Sequence, residues 1–148
     1  MNKNVIIFGS NGYLAKNLIY RFSKNNNYIK INSNKDKSYI TDSKLLIKIF
    51  KNNDFDIILN CVGLADIDLC EKNLKLALDL NHKFPQKLGL FSNIYKKNIK
   101  IIHISTDQFY DGFGFKNESE VNINNNYSKS KHKGEEILLQ YNPLIFRT

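Results

Sequence analysis

The sequence opens with a short apolar run that passes directly into a glycine-rich turn. Residues 5–8 (VIIF) are all apolar, Gly9 and Gly12 follow, and apolar side chains recur at helical spacing over residues 13–22. A wholly apolar short strand is typical of a parallel sheet covered on both faces. Gly9 lets the chain reverse tightly, and Gly12 lets a pyrophosphate approach the amides at the positive end of the helix. The spacing therefore predicts a dinucleotide-binding turn, with an ordinary strand-to-helix turn as the alternative.

Strands and helices alternate along the rest of the chain. Further strands are predicted at residues 28–31, 56–62, 99–105 and 143–148. Helices are predicted at residues 43–51, 74–97 and 127–140, with Pro85 as a kink or break in the second of them. This alternation predicts an α/β fold of Rossmann type. We expect one domain over residues 1–148, in which a doubly wound parallel sheet has the strand order 3-2-1-4-5 and helices on both faces.

The charge, the cysteines and the hydropathy exclude several classes of protein. The formal net charge is +8, but the lysines are scattered, so we expect a solvated surface and no nucleic-acid partner. Cys61 and Cys70 lack the spacing of a zinc site or a disulfide framework, and we expect both to be reduced, buried thiols. The sequence has no apolar run long enough for a signal peptide or a membrane span. These features predict a cytoplasmic protein without a membrane partner.

A tyrosine and a lysine four residues apart, Tyr127 and Lys131, fall in the last predicted helix. At this spacing they share one helix face, where the ammonium favours the phenolate and makes the phenol a better proton donor near neutral pH. Ser105 and Thr106 lie at the end of the fourth predicted strand, at the edge where open α/β sheets bind ligands. A hydroxyl there can hydrogen-bond a reacting oxygen. A chance pairing in a lysine-rich chain is the alternative.

Six segments occur in a recognisable order. They are GSNGYLA at 9–15, NCVG at 60–63 with Asp68 and Glu71 after it, LNHKFP around Asn81, STDQFYDG at 105–112, YSKSKHKGE at 127–135 and LIFRT at 144–148. Together they resemble the extended short-chain dehydrogenase/reductases, and among these the dTDP-4-dehydrorhamnose reductase family, also described as a sugar-nucleotide-binding domain. The resemblance runs from residue 4 to residue 148.

The resemblance implies a reductase that uses a nicotinamide dinucleotide to reduce a nucleotide-activated 4-keto sugar. It implies that Tyr127 donates the proton, that Lys131 tunes the phenol and binds the ribose, and that Thr106 hydrogen-bonds the carbonyl. The implied substrate residues are Thr106, Asp107 and Gln108, and the implied supporting residues are Asn81 and Ser105. The implied cofactor residues are Gly9, Asn11, Gly12, Tyr13, Leu14, Tyr39, Ile40, Val62, Gly63, Leu64, Tyr127 and Lys131.

The chain departs from the family pattern in three places. Tyr39 stands where the family has an aspartate near the adenine. Asn17 stands where magnesium-binding members have a glutamate, so no metal is expected. The family continues into a C-terminal region that supplies most of the sugar contacts and that this sequence lacks. We therefore expect the chain to be the cofactor half of the enzyme, either as a fragment of a longer protein or as a protein whose substrate site is completed in a homodimer or by a second polypeptide.

Two other functions stay open. One is a nucleotide-binding regulatory module that performs no reduction, against which the intact Tyr127, Lys131 and Thr106 argue. The other is a sugar-nucleotide epimerase or dehydratase of the same extended group, with the same tyrosine and lysine chemistry. The segment STDQFYDG favours the reductase over this second alternative.

The cofactor is expected to be NADP(H) or NAD(H), with NADP(H) slightly favoured. NAD-selective domains present a carboxylate to the ribose at the end of the second strand. This sequence has Ser33, Asn34 and Lys35 there, and Asp36 comes too late. Lys35 can attract a 2′-phosphate, while Ser33 and Asn34 can donate hydrogen bonds to its oxygens. The alternative is that Lys35 is a solvated turn lysine and both cofactors are accepted.

Overall fold

Five parallel strands form one sheet in the computed structural model, which describes residues 2–24, 26–31, 38–96, 98–110 and 112–148. The strands are β1 (Lys3–Phe8), β2 (Asn26–Ile31), β3 (Ile57–Asn60), β4 (Lys100–Ser105) and β5 (Leu144–Arg147). The helices are α1 (Tyr13–Phe22), α2 (Ser38–Thr41), α3 (Ser43–Asn52), α4 (Ile67–Lys72), α5 (Leu74–Leu78), α6 (Phe84–Tyr95) and α7 (Asn126–Leu139), with a π-helical turn at Asp79–Lys83 between α5 and α6. The parallel α/β fold of Rossmann type is confirmed.

The predicted strand order is wrong in one respect. The observed order is β2-β1-β3-β4-β5, so β3 pairs with β1 and not with β2. The burial of the two strands explains the difference. Residues 26–31 (NNYIKI) are at most half-buried, which suits an edge strand, whereas residues 57–60 (IILN) are mostly buried and need neighbours on both sides. The chain therefore reverses direction across the sheet after β2, and the ends of β1 and β3 lie side by side.

Two apolar clusters lie on the two faces of the sheet. Ile6 and Phe8 pack on one face with side chains of α3, α6 and α7. Val5 and Ile7 pack on the other face with Ala15 of α1. Side chains that alternate along β1 thus reach opposite layers. Helices cover both faces, as predicted, but the cluster on the second face draws helical side chains from α1 alone among the described residues. An apolar groove of about 340 Å³ lies beside α1 on that face.

The predicted helix at residues 74–97 changes type just before Pro85. The π-helical turn ends at Lys83 and α6 begins at Phe84 with helical backbone on both sides, so Pro85 does not end the helix but lies just after the change of helix type. The predictions of α3 and α7 are confirmed. The short helices α2 and α4 were missed because a few residues carry no periodic pattern. Within the described ranges, no helix is long and apolar enough to cross a membrane.

Arg147 ties the last strand to α7. Its Nη2 donates to Glu135 Oε2 at 2.7 Å, and its Nε donates to Glu135 Oε1 at 3.1 Å. The same guanidinium donates to the Tyr110 hydroxyl and to the Glu118 carbonyl, and its carbon lies 5.0 Å from the centre of the Phe109 ring. Glu135 is buried, so this pairing satisfies a carboxylate that would otherwise be costly to bury. The ion pair therefore fixes the position of α7 against β5.

Candidate active site

The glycine turn lies where the carboxyl ends of β1, β2 and β3 meet. The N–H of Gly9 donates to the carbonyl of Ile31 at the end of β2, at 3.1 Å. Gly9 has φ +78°, and a Cβ on it would lie 2.9 Å from the backbone carbonyl of Cys61, just after β3. Only glycine combines this left-handed conformation with so close an approach. The turn therefore brings the start of α1 to the crevice where the strand order reverses.

The N-terminus of α1 presents its amides without a capping side chain. Gly12 is the N-cap residue and makes no side-chain hydrogen bond to the first turn. A Cβ on Gly12 would meet only the Gly9 carbonyl oxygen, at 3.3 Å. Asn11, Tyr13 and Leu14 are exposed around this end of the helix. Uncapped amides and the helix dipole together favour an anion at this position.

The segment from Val62 to Leu64, just after β3, is held at both ends by buried asparagines. Val62 N donates to Asn60 Oδ1 at 3.1 Å. Leu64 N donates to Asn81 Oδ1 at 2.8 Å, and Asn81 Nδ2 donates back to the Leu64 carbonyl at 3.0 Å. Gly63 lies between these two anchors. Three predicted cofactor residues thus form one rigid piece of backbone.

Tyr127 and Lys131 lie one turn apart on α7, and both are buried. Lys131 Nζ donates to the Ile104 carbonyl of β4 at 2.6 Å. A Cβ on Gly63 would lie 3.7 Å from the same Nζ, so the ammonium lies beneath the segment that follows β3. Burial lowers the pKa of Lys131 from 10.5 to about 8, and the carboxylate of Glu135 partly opposes this shift. The amine is still charged at neutral pH but is poised to lose its proton just above it.

The end of β4 places two buried hydroxyls near α7. Ser105 and Thr106 are both buried, and the N–H of Gln108 donates to Thr106 Oγ1 at 3.2 Å. Ser128 on α7 donates to the Gln108 carbonyl at 3.3 Å, which joins this loop to the first turn of the helix. The side chains of Asp107 and Gln108 face solvent. The predicted substrate residues thus surround the open end of β4.

Sequence reasoning missed several residues that hold these parts together. Ser130 Oγ accepts from Asn81 Nδ2 at 2.9 Å, and so connects α7 to the π-helical turn. Gly134 faces the same turn so closely that a Cβ on it would lie 2.0 Å from the Asn81 carbonyl oxygen. Asn60 and His103 form a buried side-chain pair between β3 and β4. Gly134 lies inside the segment YSKSKHKGE, where its missing side chain was the available signal.

Two of the predicted cofactor residues, Tyr39 and Ile40, lie away from this edge of the sheet. Tyr39 and Ile40 are buried in the apolar core, where the Tyr39 ring is 5.6 Å from the rings of both Phe8 and Phe84. Their role at the cofactor stays a prediction. The residues that bear on the NADP preference, Ser33 to Asp36, lie outside the described residues.

Of the two thiols, Cys70 is buried as predicted, but Cys61 is only half-buried because it follows β3 at the open edge.

Comparison with known proteins assigns the family. A family model described as the RmlD substrate binding domain matches residues 3–148. The chain belongs to this family. It is 27% identical to a dTDP-4-dehydrorhamnose reductase of Aggregatibacter actinomycetemcomitans over 97% of the chain and 50% of that protein. It is 33% identical to a probable low-salt glycan biosynthesis reductase of Haloferax volcanii over 73% of the chain and 37% of that protein. The chain thus spans half or less of the length of these curated relatives.

Solved structures of other proteins share the fold of this RmlD substrate binding domain. A dTDP-4-dehydrorhamnose reductase of Bacillus anthracis, in complex with NADP, superposes with a TM-score of 0.85 at 25% identity and covers 99% of this chain and 53% of its own. A UDP-Glc/GlcNAc 4-epimerase of Campylobacter jejuni superposes with a TM-score of 0.87 at 17% identity, over 99% of this chain and 53% of its own. The second likeness shows the fold alone. Overall shape therefore does not separate reductase from epimerase.

The titration of Lys131 should contribute stability to the chain as the pH rises from 8 to 9. A lysine in an unfolded chain titrates near pH 10.4, whereas the folded value is about 8. Between these values the unfolded state binds more protons than the folded state, so the free energy of unfolding increases with pH. The contribution of this one group is about 1 kcal/mol over that unit of pH. Urea unfolding at a series of pH values measures it.

Lys131→Met is the matched control, because it removes the titrating amine and keeps most of the apolar stem. Burial raises the pKa of the Cys61 thiol from 9.0 to about 11, so its ionisation in the unfolded chain lowers stability as the pH rises through 9. Both proteins carry this thiol, and the difference between them isolates Lys131. The comparison ends at pH 9. A stability difference between wild type and Lys131→Met that does not change from pH 8 to pH 9 would contradict the prediction.

Proposed function

We propose that this chain is the cofactor-binding part of a nicotinamide-dependent reductase that acts on a nucleotide-activated 4-keto sugar. The observation that carries the proposal is the meeting of three features at one sheet edge. These are the uncapped glycine turn after β1, the segment after β3 that packs against Tyr127, and Lys131, which bonds to β4. Ligands of open α/β sheets bind at the carboxyl edge where the strand order reverses. The reductase names of the relatives favour this chemistry over the alternatives.

The residues at this edge fit a dinucleotide. The uncapped amides of α1 would bind the pyrophosphate, and the backbone has no side chain at Gly9 or Gly12 to block it. Gly63 has no side chain between the backbone and Lys131, where a Cβ would lie 3.7 Å from Nζ and 3.2 Å from Asn81 Oδ1. Lys131 would then bind the ribose hydroxyls from beneath. Backbone amides and one ammonium are the groups that phosphates and ribose require.

A nicotinamide dinucleotide supplies the hydride that reduces a keto carbon. Tyr127 gives its phenolic proton to the oxygen of the substrate, which becomes a hydroxyl. Lys131 stabilises the phenolate that remains, because its ammonium is buried on the same helix face. Thr106, at the end of β4, hydrogen-bonds the reacting oxygen and holds it in line with Tyr127. Asn81 supports this arrangement, because its Nδ2 donates to Ser130 Oγ on α7 and to the Leu64 carbonyl after β3.

The sugar nucleotide would contact this chain at Thr106, Asp107 and Gln108. These residues lie at the open end of β4, next to the first turn of α7. The chain spans about half or less of the length of its relatives, and we propose that further contacts to the sugar come from residues other than these 148. The 148-residue chain should therefore bind the cofactor well and reduce the sugar poorly.

Titration of the chain with NADPH and NADH tests the proposal. We expect both dinucleotides to bind, and NADPH to bind at least as tightly, since Lys16 and Lys30 line a groove with Ser10 and Asn11 beside the glycine turn. Gly12→Glu places a carboxylate at the pyrophosphate position and should weaken binding at least tenfold, about 1.4 kcal/mol. Fluorescence or calorimetry at fixed salt measures both effects.

Asn17→Glu is the matched control, because it makes the same charge change on the exposed side of α1. Failure of the wild-type chain to bind either dinucleotide would overturn the proposed function. A tenfold preference for NADH would refute the NADP assignment and leave the reductase proposal intact. Robust reduction of dTDP-4-keto sugars by the chain alone would refute the need for residues from elsewhere.

A further inference from the structure

His103 and Asn60 form a side-chain pair at the centre of the sheet. They are direct partners in the parallel register of β3 and β4, so their side chains lie next to each other. Both side chains are completely buried, and His103 Nδ1 lies 2.9 Å from Asn60 Nδ2. His103 Nε2 is buried without a hydrogen-bond partner among the described residues, so the burial of this imidazole costs free energy that only the Asn60 contact offsets. The proposed reaction uses neither residue.

The protons in this pair are fixed by the backbone. Val62 N–H can only donate, so the Asn60 atom that faces it must be the carbonyl oxygen Oδ1. Asn60 Nδ2 then faces His103 and must donate, and so His103 Nδ1 must accept. The imidazole is therefore neutral, with its proton on Nε2. Burial and the positive charge of Lys131 both lower the pKa of His103 well below its ordinary value, in agreement with this assignment.

We propose that His103 is a positioning residue that acts through Asn60 to fix the segment from Val62 to Leu64 against the cofactor. The inference rests on the proposed function. The hydrogen bonds run from the His103 acceptor to the Asn60 amide, and from the Asn60 oxygen to the Val62 N–H. Without an acceptor at position 103, the buried Asn60 Nδ2 loses its partner, and only the bond from Val62 N–H favours this orientation of the amide.

The position of this segment matters because Lys131 lies directly below it. Asn81 fixes the far end at Leu64, but only Asn60 holds the near end at Val62 among the described side chains. Gly63 lies between the two anchors and above Lys131 Nζ. Groups that bind a reacting cofactor must be held to within a fraction of an ångström. Loss of one anchor would let the segment move relative to the ammonium.

Two variants of nearly equal shape separate this role from packing. His103→Asn places an oxygen acceptor near the original Nδ1, whereas His103→Leu places a methyl group there. Amide hydrogen exchange at Val62 reads the hydrogen bond directly, without cofactor. We expect exchange at Val62 about tenfold faster in His103→Leu, and near the wild-type rate in His103→Asn. Exchange at Ile6 and Ile7 of β1 shows whether the variant is folded.

Dinucleotide titration of the same variants measures the effect on cofactor affinity. We expect His103→Leu to raise the Kd for NADPH about tenfold and His103→Asn to raise it less than threefold. Equal behaviour of the two variants, in exchange or in affinity, would overturn the proposal and assign His103 to packing. Faster exchange at Val62 with unchanged affinity would also overturn it. If wild type binds no dinucleotide, the proposed function fails. The exchange rates still show whether His103 acts through Asn60 on the Val62 N–H.

Discussion

Replacement of Tyr127 by phenylalanine should lower turnover at least 100-fold in a version of the protein that carries a complete substrate site. General acids of this kind contribute factors of about 100 to 10,000. The change removes one oxygen from a buried side chain on α7 and leaves the glycine turn, Gly63 and Lys131 in place. The affinity for the dinucleotide should therefore stay within about twofold of wild type. Steady-state kinetics and cofactor titration measure the two quantities.

Tyr95→Phe is the control, because it removes the same oxygen at the end of α6, where the ring packs against Phe91 away from the candidate site. It should leave both turnover and cofactor affinity unchanged. Wild-type turnover by Tyr127→Phe would show that the acid lies elsewhere. A loss of cofactor affinity as large as the loss of turnover would show that Tyr127 acts in binding.

Gly134→Ala should destabilise the fold by about 3 kcal/mol or more. On helix propensity alone the change would stabilise α7 by about 1 kcal/mol. The added Cβ, however, would lie 2.0 Å from the Asn81 carbonyl oxygen, and that oxygen belongs to the backbone of the π-helical turn. A shift of α7 would move Tyr127 and Lys131, and a shift of the π-helical turn would move Asn81. Thermal unfolding should show a midpoint lowered by about 10 °C.

Gly89→Ala is the informative comparison, since Gly89 also lies inside a helix. There the added Cβ would lie 2.4 Å from the Tyr141 ring, which is a side chain and can rotate away. Gly89→Ala should therefore cost less than Gly134→Ala, and Tyr141→Ala should remove most of its cost. A stability of Gly134→Ala equal to or above wild type would show that α7 and the π-helical turn are free to separate.

Patterns that repeat along the chain could be predicted, and contacts between distant segments could not. The apolar run at residues 5–8 and the glycines after it predicted β1, the turn and α1, because the information is local. The predicted strand order was wrong because the place of β3 depends on which strand tolerates an exposed edge. The polar Asn26, Asn27 and Lys30 in β2 carried that signal.

The residues of the candidate site also divide into those that could be predicted from the sequence and those that could not. Tyr127, Lys131 and Thr106 could be proposed from their spacing and from the resemblance, and the structure places all three in or beside the edge where β3 and β4 end. Asn60 and His103 could not be paired from the sequence, because they are far apart in the chain and meet only through strand register. The π-helical turn was also hidden, since its apolar spacing resembles that of an ordinary helix.

The all-parallel sheet also affects how quickly the chain can fold. Each described ladder joins strands that are separated by a crossover, as in the pairing of Lys3 with Asn26 and of Val5 with Ile57. A long loop must therefore close before any ladder bond stabilises it, which places the chain among slow folders for its size. The ammonium of Lys131 reaches its position only when α7 docks on β4. The reactive groups therefore come together only through this docking, and an unfolded chain carries them separately.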